Sequence, residues 1–228
     1  MSPNCSKPRN LSIDRITIHC LVGQWTAEAI GNYFSQSHVK ASCNYGIGKA
    51  GDIVCCVAEE NRSWCSSSAA NDNRAITIET ASDTKHPYAV TDAAFASLLD
   101  LCEDICRRYG KIKLLWIPDK NKAMAYKPAA DEMILTVHRW FANKACPGDY
   151  LFNRHAEIAA TVTDRLEEGM TYNKIEDMPE VYRPTIQKLV DRGIVKGTKD
   201  GLDLTRNMVR LLVYIDRAGV FDYGTDSR

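Results

Sequence analysis

The spacing of apolar residues along the chain predicts three helices. In TDAAFASLLDLCEDICRRYG (91–110), apolar residues recur every three or four positions, which is the period of a helix with one buried face. Thr91 is placed to cap this helix and Gly110 to end it. The same period predicts a helix over TAEAIGNYF (26–34) and another over YLFNRHAEIAATVTDRLEEG (150–169).

Shorter apolar runs between the helices predict strands. They are RITIHC (15–20), two strands within NYGIGKAGDIVCCV (44–57), RAITIETA (74–81), KLLWI (113–117) and ILTVHRW (134–140). Strands that alternate with helices indicate the α/β class, here a mixed central sheet flanked by helices. The residues GIGKAG (46–51) match the Gly-x-Gly-x-x-Gly pattern of dinucleotide-binding loops, but that pattern requires a helix directly afterwards. The strand-like DIVCCV follows, so these glycines indicate a hairpin turn.

The pattern changes near Thr171, and we expect two domains, residues 1–169 and 170–228. MPEVYRPTIQKLVDRG and TRNMVRLLVYIDRAG are two short amphipathic segments, which predict a small helical C-terminal module. The apolar faces predicted for them are Val181, Ile186, Leu189 and Val190 in the first helix and Met208, Leu211, Leu212 and Ile215 in the second. The first segment weakly resembles half of an S-layer-homology repeat, a helix pair used on cell surfaces. We therefore expect wall targeting or self-association into a homo-oligomer, with a plain structural extension as the alternative.

Composition and charge narrow the range of functions. Hydrophobic residues make up 45% of the chain and charged residues 25%, as in an ordinary soluble globular protein. Lys+Arg and Asp+Glu both number 29, and this neutral balance disfavours a general nucleic-acid binder. No apolar run approaches the roughly 20 residues of a membrane-spanning helix. The polar start MSPNCSKPRN has no apolar signal-peptide core, so we expect synthesis in the cytoplasm and reduced thiols for most of the nine cysteines.

Three predicted strands carry the same short pattern, a threonine, a β-branched residue and then a titratable residue. The three patterns are Thr17-Ile18-His19, Thr77-Ile78-Glu79 and Thr136-Val137-His138. Alternate residues of a strand share a face, so each titratable side chain points away from the apolar core. We therefore expect neighbouring strands to bring His19, Glu79 and His138 close together on one face of the sheet, which would form the floor of a site. Each residue alone has a structural interpretation, because single strand histidines and glutamates are common without a function.

The stretch VHRWFANKACPGDYLF (137–152) adds a thiol to this group. Two imidazoles and one thiolate can hold zinc tetrahedrally and leave the fourth position for water, so His19, His138 and Cys146 are the predicted ligands. Glu79 is placed to act as the base for that water, and Lys144 to stabilise an oxyanion. Two alternatives remain at this point. Lys144 could be an exposed loop residue, and Cys146 with His138 could form a metal-free cysteine hydrolase.

These residues carry a resemblance to a known family. ITIHC, NYGIGKAGDI, NRSWC, NRAITIET and VHRWFANKACPGDYLF resemble the zinc-dependent N-acetylmuramoyl-L-alanine amidases, which include T7-lysozyme-like phage amidases and peptidoglycan recognition proteins. The resemblance runs from about Arg15 to Phe152. It implies hydrolysis of the amide between N-acetylmuramic acid and L-alanine in bacterial peptidoglycan. It also implies zinc on His19, His138 and Cys146, with Glu79 and Lys144 as catalytic residues.

The sequence departs from the family pattern at two places. The family often has Tyr-His before the aromatic residue of its second strand, where this chain has Cys43-Asn44 followed by Tyr45. It also often has Trp-His where this chain has Trp64-Cys65. We expect substrate contacts from Asn44, Tyr45 and Trp64.

The resemblance, together with the lack of a visible signal peptide, predicts a phage or prophage endolysin that acts on the cell wall. The rival interpretation is a noncatalytic peptidoglycan-binding protein on the same fold. Noncatalytic relatives typically lose the ligand cysteine, which this chain retains as Cys146.

Overall fold

The computed structural model describes residues 1–222, and the chain divides into two compact units at Asp164. The first unit contains a six-stranded sheet with the order β4-β3-β6-β2-β8-β7 and a separate two-stranded ladder of β1 with β5. Its strands are β1 (Cys5–Ser6), β2 (Arg15–Val22), β3 (Tyr45–Ile47), β4 (Ile53–Cys55), β5 (Arg62–Ser63), β6 (Ala75–Ser82), β7 (Lys113–Leu115) and β8 (Glu132–Val137). Only the β3–β4 pair of the large sheet is antiparallel, so the prediction of a mixed central sheet is confirmed.

Six helices accompany the sheet. They are α1 (Ala27–Phe34), α2 (Ala69–Asp72), α3 (Asp92–Arg108), α4 (Lys120–Ala125), α5 (Gly148–Phe152) and α6 (His155–Glu168), and the boundary between the units falls within α6. The predicted cap of α3 is confirmed, because Thr91 Oγ1 accepts a hydrogen bond from the amide of Ala94 at 3.1 Å. The β3–β4 hairpin confirms the predicted turn between strands, with Gly48 and Gly51 in the turn and Gly46 within β3.

Both faces of the central strands are buried. The isoleucines of β2 and β6 lie in the apolar core, while Thr17, Thr77 and Thr136 on the opposite face are also fully buried. These threonines form polar pairs, with Thr17 Oγ1 2.7 Å from Thr136 Oγ1 and Thr77 Oγ1 2.7 Å from Ser63 Oγ. The threonine face is therefore a covered polar layer, and a pocket can open only where the strands end.

Two predicted elements differ from the structure. The strand predicted over residues 134–140 ends at Val137, and His138–Trp140 form a 3₁₀ turn. The single helix predicted over residues 150–169 is wrong, because α5 ends at Phe152 and α6 begins at His155. The apolar pattern does not reveal this break, since the side chains on both sides of it remain fully buried at helical spacing. These side chains are Leu151, Ile158 and Val162.

The second unit has its own small core. It contains β9 (Thr171–Tyr172) paired antiparallel with β10 (Leu204–Thr205), together with α7 (Arg183–Asp191) and α8 (Arg206–Arg217). The buried residues of this core are Tyr172, Met178, Ile186, Leu189, Val195, Leu204 and Val209. Among residues 1–222, no helix combines the length and apolar character that crossing a bilayer requires.

The predicted apolar face of α7 is confirmed for Ile186 and Leu189, whereas Val181 precedes the helix and is exposed. The predicted face of α8 is wrong in part, because Leu212 is partly buried against the core of the second unit but other predicted residues are not. Met208 and Leu211 are about half exposed, at 47% and 57%, and the buried residues are Val209 and Val213. Apolar residues occupy almost every side of α8, so the period alone could not select the buried face.

Candidate active site

The carboxyl ends of β2 and β6 bring the first two site residues together. His19 and Glu79 are directly opposite one another in the parallel register of these strands, and His19 Nδ1 lies 3.8 Å from Glu79 Oε1. His138 follows the end of β8, the strand on the other side of β2, and its ring centroid is 5.1 Å from that of His19. The sequence prediction that these three side chains share one floor agrees with this geometry.

A compact turn returns the chain from His138 to Cys146. The amide of Arg139 donates to the carbonyl of Cys146 at 3.1 Å, and the Arg139 guanidinium donates to Asp149 Oδ1 at 3.0 Å. Gly148 has a φ of 77°, where a side chain would meet Tyr88 only 2.7 Å away. These contacts place Cys146 Sγ 3.3 Å from His19 Nδ1.

The donor atoms of His19, His138 and Cys146 fit a metal ion. All three lie within 4.8 Å of one another. Ligand atoms about 2.0–2.3 Å from a tetrahedral zinc ion lie roughly 3.5 Å apart, close to the separation of Cys146 Sγ and His19 Nδ1. Burial first, and His138 second, hold the pKa of His19 well below its usual value, while burial and Lys144 lower the pKa of His138. Both effects favour the neutral imidazoles that metals require.

Glu79 lies beside these donors as a mostly buried carboxyl group with an incomplete set of partners. Burial raises its pKa to about 8, and its Oε2 atom has no hydrogen-bond partner among the described residues. The thiol of Cys65 lies 3.6 Å from Glu79 Oε1, within donor range for sulfur. A buried carboxyl group with one oxygen unpartnered is suited to accept and release a proton.

A pocket of about 410 Å³ opens next to this cluster. Its lining residues include Lys40, Arg62, Trp64, Cys65, His138 and Lys144. The concentration of basic side chains suits a ligand that carries carboxylate groups or other acceptors.

The predicted site residues outside the metal cluster are placed differently from one another. Lys144 is exposed and Trp64 is 36% exposed, and both line the pocket. Asn44 is fully buried, where its side chain donates to the carbonyl of Val57 at 3.1 Å and accepts from the amide of Thr77. The structure does not bring Asn44 to the pocket.

Tyr45 is also held elsewhere. Its hydroxyl donates to Glu59 Oε1 at 2.7 Å, and Arg108 and Tyr109 of the α3 region bind the same carboxylate. The structure therefore gives Tyr45 a structural partner and does not bring it to the site.

Sequence reasoning missed several pocket residues. Ser67 Oγ lies 3.0 Å from His138 Nε2, so this hydroxyl can fix the orientation of the imidazole ring. Cys65 contacts Glu79, and Arg62 lines the pocket. The departure of Trp64-Cys65 from the family's Trp-His pair was the signal that could have drawn attention to Cys65.

Sites that combine two imidazoles, a thiol and a buried carboxyl group are typical of metal-dependent hydrolases. The N-acetylmuramoyl-L-alanine amidase family matches residues 9–149, more than half of the chain, and the chain belongs to this family. It is therefore an amidase of peptidoglycan, cleaving the amide between N-acetylmuramic acid and L-alanine.

Solved structures similar to this chain include an amidase, an endolysin and a peptidoglycan recognition protein. N-acetylmuramoyl-L-alanine amidase LysC from Clostridium intestinale is 19% identical, with 69% of this chain and 89% of that one covered and a TM-score of 0.48. The Ph2119 endolysin from a Thermus scotoductus bacteriophage is 13% identical, with 68% and 87% covered and a TM-score of 0.48. Drosophila peptidoglycan recognition protein SD is 18% identical, with 65% and 88% covered and a TM-score of 0.43. A search of curated proteins finds no match.

Proposed function

We propose that this amidase depends on zinc held by His19, His138 and Cys146. The observation that carries the proposal is the convergence of three suitable donor atoms beside a buried carboxyl group, at the edge of a pocket. A bound zinc ion would supply an activated water molecule and polarise the scissile carbonyl. The remaining chemistry belongs to side chains of this chain.

Glu79 acts as the general base and then as the general acid. Its carboxylate accepts a proton from the attacking water as the oxygen bonds to the lactyl carbonyl carbon. The same proton then goes to the amine of L-alanine as the carbon–nitrogen bond breaks. Lys144 lines the pocket, and its positive charge stabilises the negative charge developing on the carbonyl oxygen.

The geometry argues against the cysteine-hydrolase alternative. A nucleophilic Cys146 activated by His138 would need these two side chains paired, but the thiol faces His19 Nδ1 at 3.3 Å. His138 Nε2 instead lies 3.0 Å from Ser67 Oγ. In the zinc proposal His19, His138 and Cys146 all have a role, whereas a cysteine nucleophile paired with His19 in this geometry leaves His138 without one.

The test is digestion of purified peptidoglycan, with mass analysis of the products and metal analysis of the protein. We expect about one zinc per chain, new free amino termini on L-alanine and intact glycan strands. Chelation should abolish cleavage, and added zinc should restore it. Full activity in protein shown to be zinc-free would support a cysteine nucleophile instead, and binding without any cleavage would support a recognition protein.

We further propose that the chain works as a phage or prophage endolysin on the bacterial cell wall. The support is the resemblance to T7-lysozyme-like phage amidases, combined with a second unit that has its own core. In this proposal the second unit targets the wall or mediates self-association.

A further inference from the structure

One serine hydroxyl holds two side chains of the pocket wall. Ser6 Oγ accepts a hydrogen bond from the guanidinium of Arg62 at 2.5 Å and another from the indole nitrogen of Trp64 at 3.1 Å. A hydroxyl oxygen has two acceptor lone pairs, so these two donors use its accepting capacity. Both donors line the same pocket as His138 and Lys144. Ser6 thus contacts two side chains of the pocket wall.

Backbone contacts fix Ser6 in this position. Ser6 lies directly opposite Arg62 in the antiparallel ladder of β1 and β5. The amide of Ser2 donates to the carbonyl of Cys56 at 2.6 Å. After the ladder, the guanidinium of Arg9 donates to the carbonyls of residues on both sides of β5, including Asn61 O at 3.0 Å and Asp72 O at 3.1 Å. The segment 2–9 is therefore tied down at both ends, and Ser6 precedes the residues 9–149 that match the family.

An arginine and a tryptophan that are already ordered bind a ligand at a lower entropic cost. Free arginine side chains lose rotamer freedom when they bind, whereas a guanidinium held in place has lost it beforehand. An ordered indole beside a guanidinium offers an apolar face and hydrogen-bond donors, which suits a peptide with carboxylate and carbonyl acceptors. The stem peptide of peptidoglycan has this chemistry.

We propose that Ser6 is a positioning residue that preorganises Arg62 and Trp64 for the stem peptide of the substrate. This inference rests on the proposed function, because it requires that the pocket hold peptidoglycan. Ser6 acts on substrate binding and not on the chemical step, since its hydroxyl contacts neither the metal donors nor Glu79.

The test uses the full chain and a soluble muropeptide with a three-residue stem. Ser6→Ala removes the acceptor, while Ser6→Thr keeps the hydroxyl and suits a strand. Ser2→Ala is the matched control, because Ser2 Oγ accepts only from the nearby amide of Asn4, at 3.2 Å, among the bonds of the described residues. Steady-state kinetics give KM and kcat, and calorimetric titration of chelator-treated protein with the same muropeptide gives Kd without turnover.

We expect Ser6→Ala to raise KM and Kd by about five-fold, the scale of one lost hydrogen bond, with kcat within about two-fold of the parent value. Ser6→Thr and Ser2→Ala should stay within about two-fold in all three quantities. If Ser6→Ala unfolds early in a thermal scan, Ser6→Cys, whose sulfur is a weak acceptor of similar size, should show the same rise.

Unchanged KM and Kd in Ser6→Ala, or in Ser6→Cys where that variant is used, would overturn the proposal. So would a fall in kcat alone, or an equal rise in KM for Ser2→Ala, which would indicate general loosening of the segment. If the unaltered chain binds and cleaves the muropeptide, the proposed function stands whatever the Ser6 variants do. If it neither binds nor cleaves, the proposed function fails and the role of Ser6 fails with it.

Discussion

At the scale of single residues, Glu79 is the titratable residue of β6 beside the metal donors, and one oxygen of its mostly buried carboxyl group has no partner among the described residues. Glu79→Gln preserves the shape of the side chain and removes its basicity. We expect this variant to keep its metal and its fold and to lose about 100-fold or more in kcat, the usual scale for a positioned general base. The measurement is kcat on purified peptidoglycan together with zinc content. Glu28→Gln, at an exposed position of α1, is the control. A wild-type rate in Glu79→Gln would require another base.

Substitution of any one of the three proposed zinc ligands should abolish both zinc binding and activity. We expect His19→Ala, His138→Ala and Cys146→Ala each to lose bound zinc and peptidoglycan cleavage in parallel, because three ligands are the minimum for a catalytic zinc site. Metal analysis after dialysis and a cleavage assay on the same samples provide the measurement. His38→Ala changes an exposed histidine outside the cluster and should change neither quantity. A ligand variant that keeps full activity without zinc would contradict the assignment.

At the scale of secondary-structure elements, the side chain of Glu59 connects the β4–β5 loop to the C-terminal end of α3. Glu59 accepts hydrogen bonds from Tyr45, Tyr109 and both terminal nitrogens of the Arg108 guanidinium, at 2.7 to 2.8 Å. Burial raises the pKa of this carboxyl group, but the bonds from Arg108 and the two tyrosines lower it more, so the net shift is downward. The folded state therefore binds the proton of Glu59 more weakly than the unfolded chain does.

This linkage predicts a pH-dependent contribution to stability. The contribution of Glu59 is complete above its ordinary pKa of 4.5 and is lost as the pH falls through the lower folded value. We expect Glu59→Gln to reduce the free energy of unfolding by about 1 kcal/mol at pH 7, a figure discounted because Arg108 is partly exposed. The difference from the parent chain should shrink below about pH 4. Urea unfolding at several pH values measures it, with exposed Glu60→Gln as the control. A difference that grew at low pH would contradict this account.

The strands also show which residue positions could be predicted from the sequence and which could not. The alternation Thr-x-His and Thr-x-Glu correctly placed His19 and Glu79 on the same strand face as Thr17 and Thr77, because the strand period follows directly from local sequence. The positions of Asn44 and Tyr45 could not be predicted in this way, since their partners Val57 and Glu59 lie across a hairpin. The strand period predicts the face of the sheet to which a side chain points. Contacts between distant segments decide whether that face is accessible to a ligand.

The same limit applies to the pocket wall. Ser6 and Arg62 are 56 residues apart in sequence, and only the short β1–β5 ladder brings them together. Two-residue strands carry no detectable period, so no pattern indicates that ladder. Candidate metal ligands can be proposed from sequence more readily, because their residue types are chemically restricted.

At the scale of the whole molecule, the metal donors and the pocket all belong to the first unit, whereas the second unit has a core of its own. A chain ending at Gly169 keeps α6 complete and removes the rest of the second unit. We expect it to stay folded, retain zinc and cleave soluble muropeptides at a rate within about three-fold of the full chain, because the chemistry needs no residue beyond that point. On intact cell walls it should bind and lyse less well. Equal wall binding, lytic rate and apparent mass in the two chains would exclude both targeting and self-association.

A point substitution on the exposed face of α8 tests the second unit without removing it. Met208, Leu211 and Tyr214 are exposed on this helix at spacings of three residues, and they form an apolar strip beside the buried Val209. Because Leu211 is 57% exposed, Leu211→Glu should leave thermal unfolding nearly unchanged. If this strip contacts the wall or a second copy, the variant should lose wall binding or dimer mass by about ten-fold, as expected for one desolvated leucine replaced by a charge. Asn207→Glu adds the same charge at an exposed neighbouring position and is the matched control. Equal loss in both variants would indicate charge repulsion from the wall, and no loss in either would leave the second unit as a structural extension.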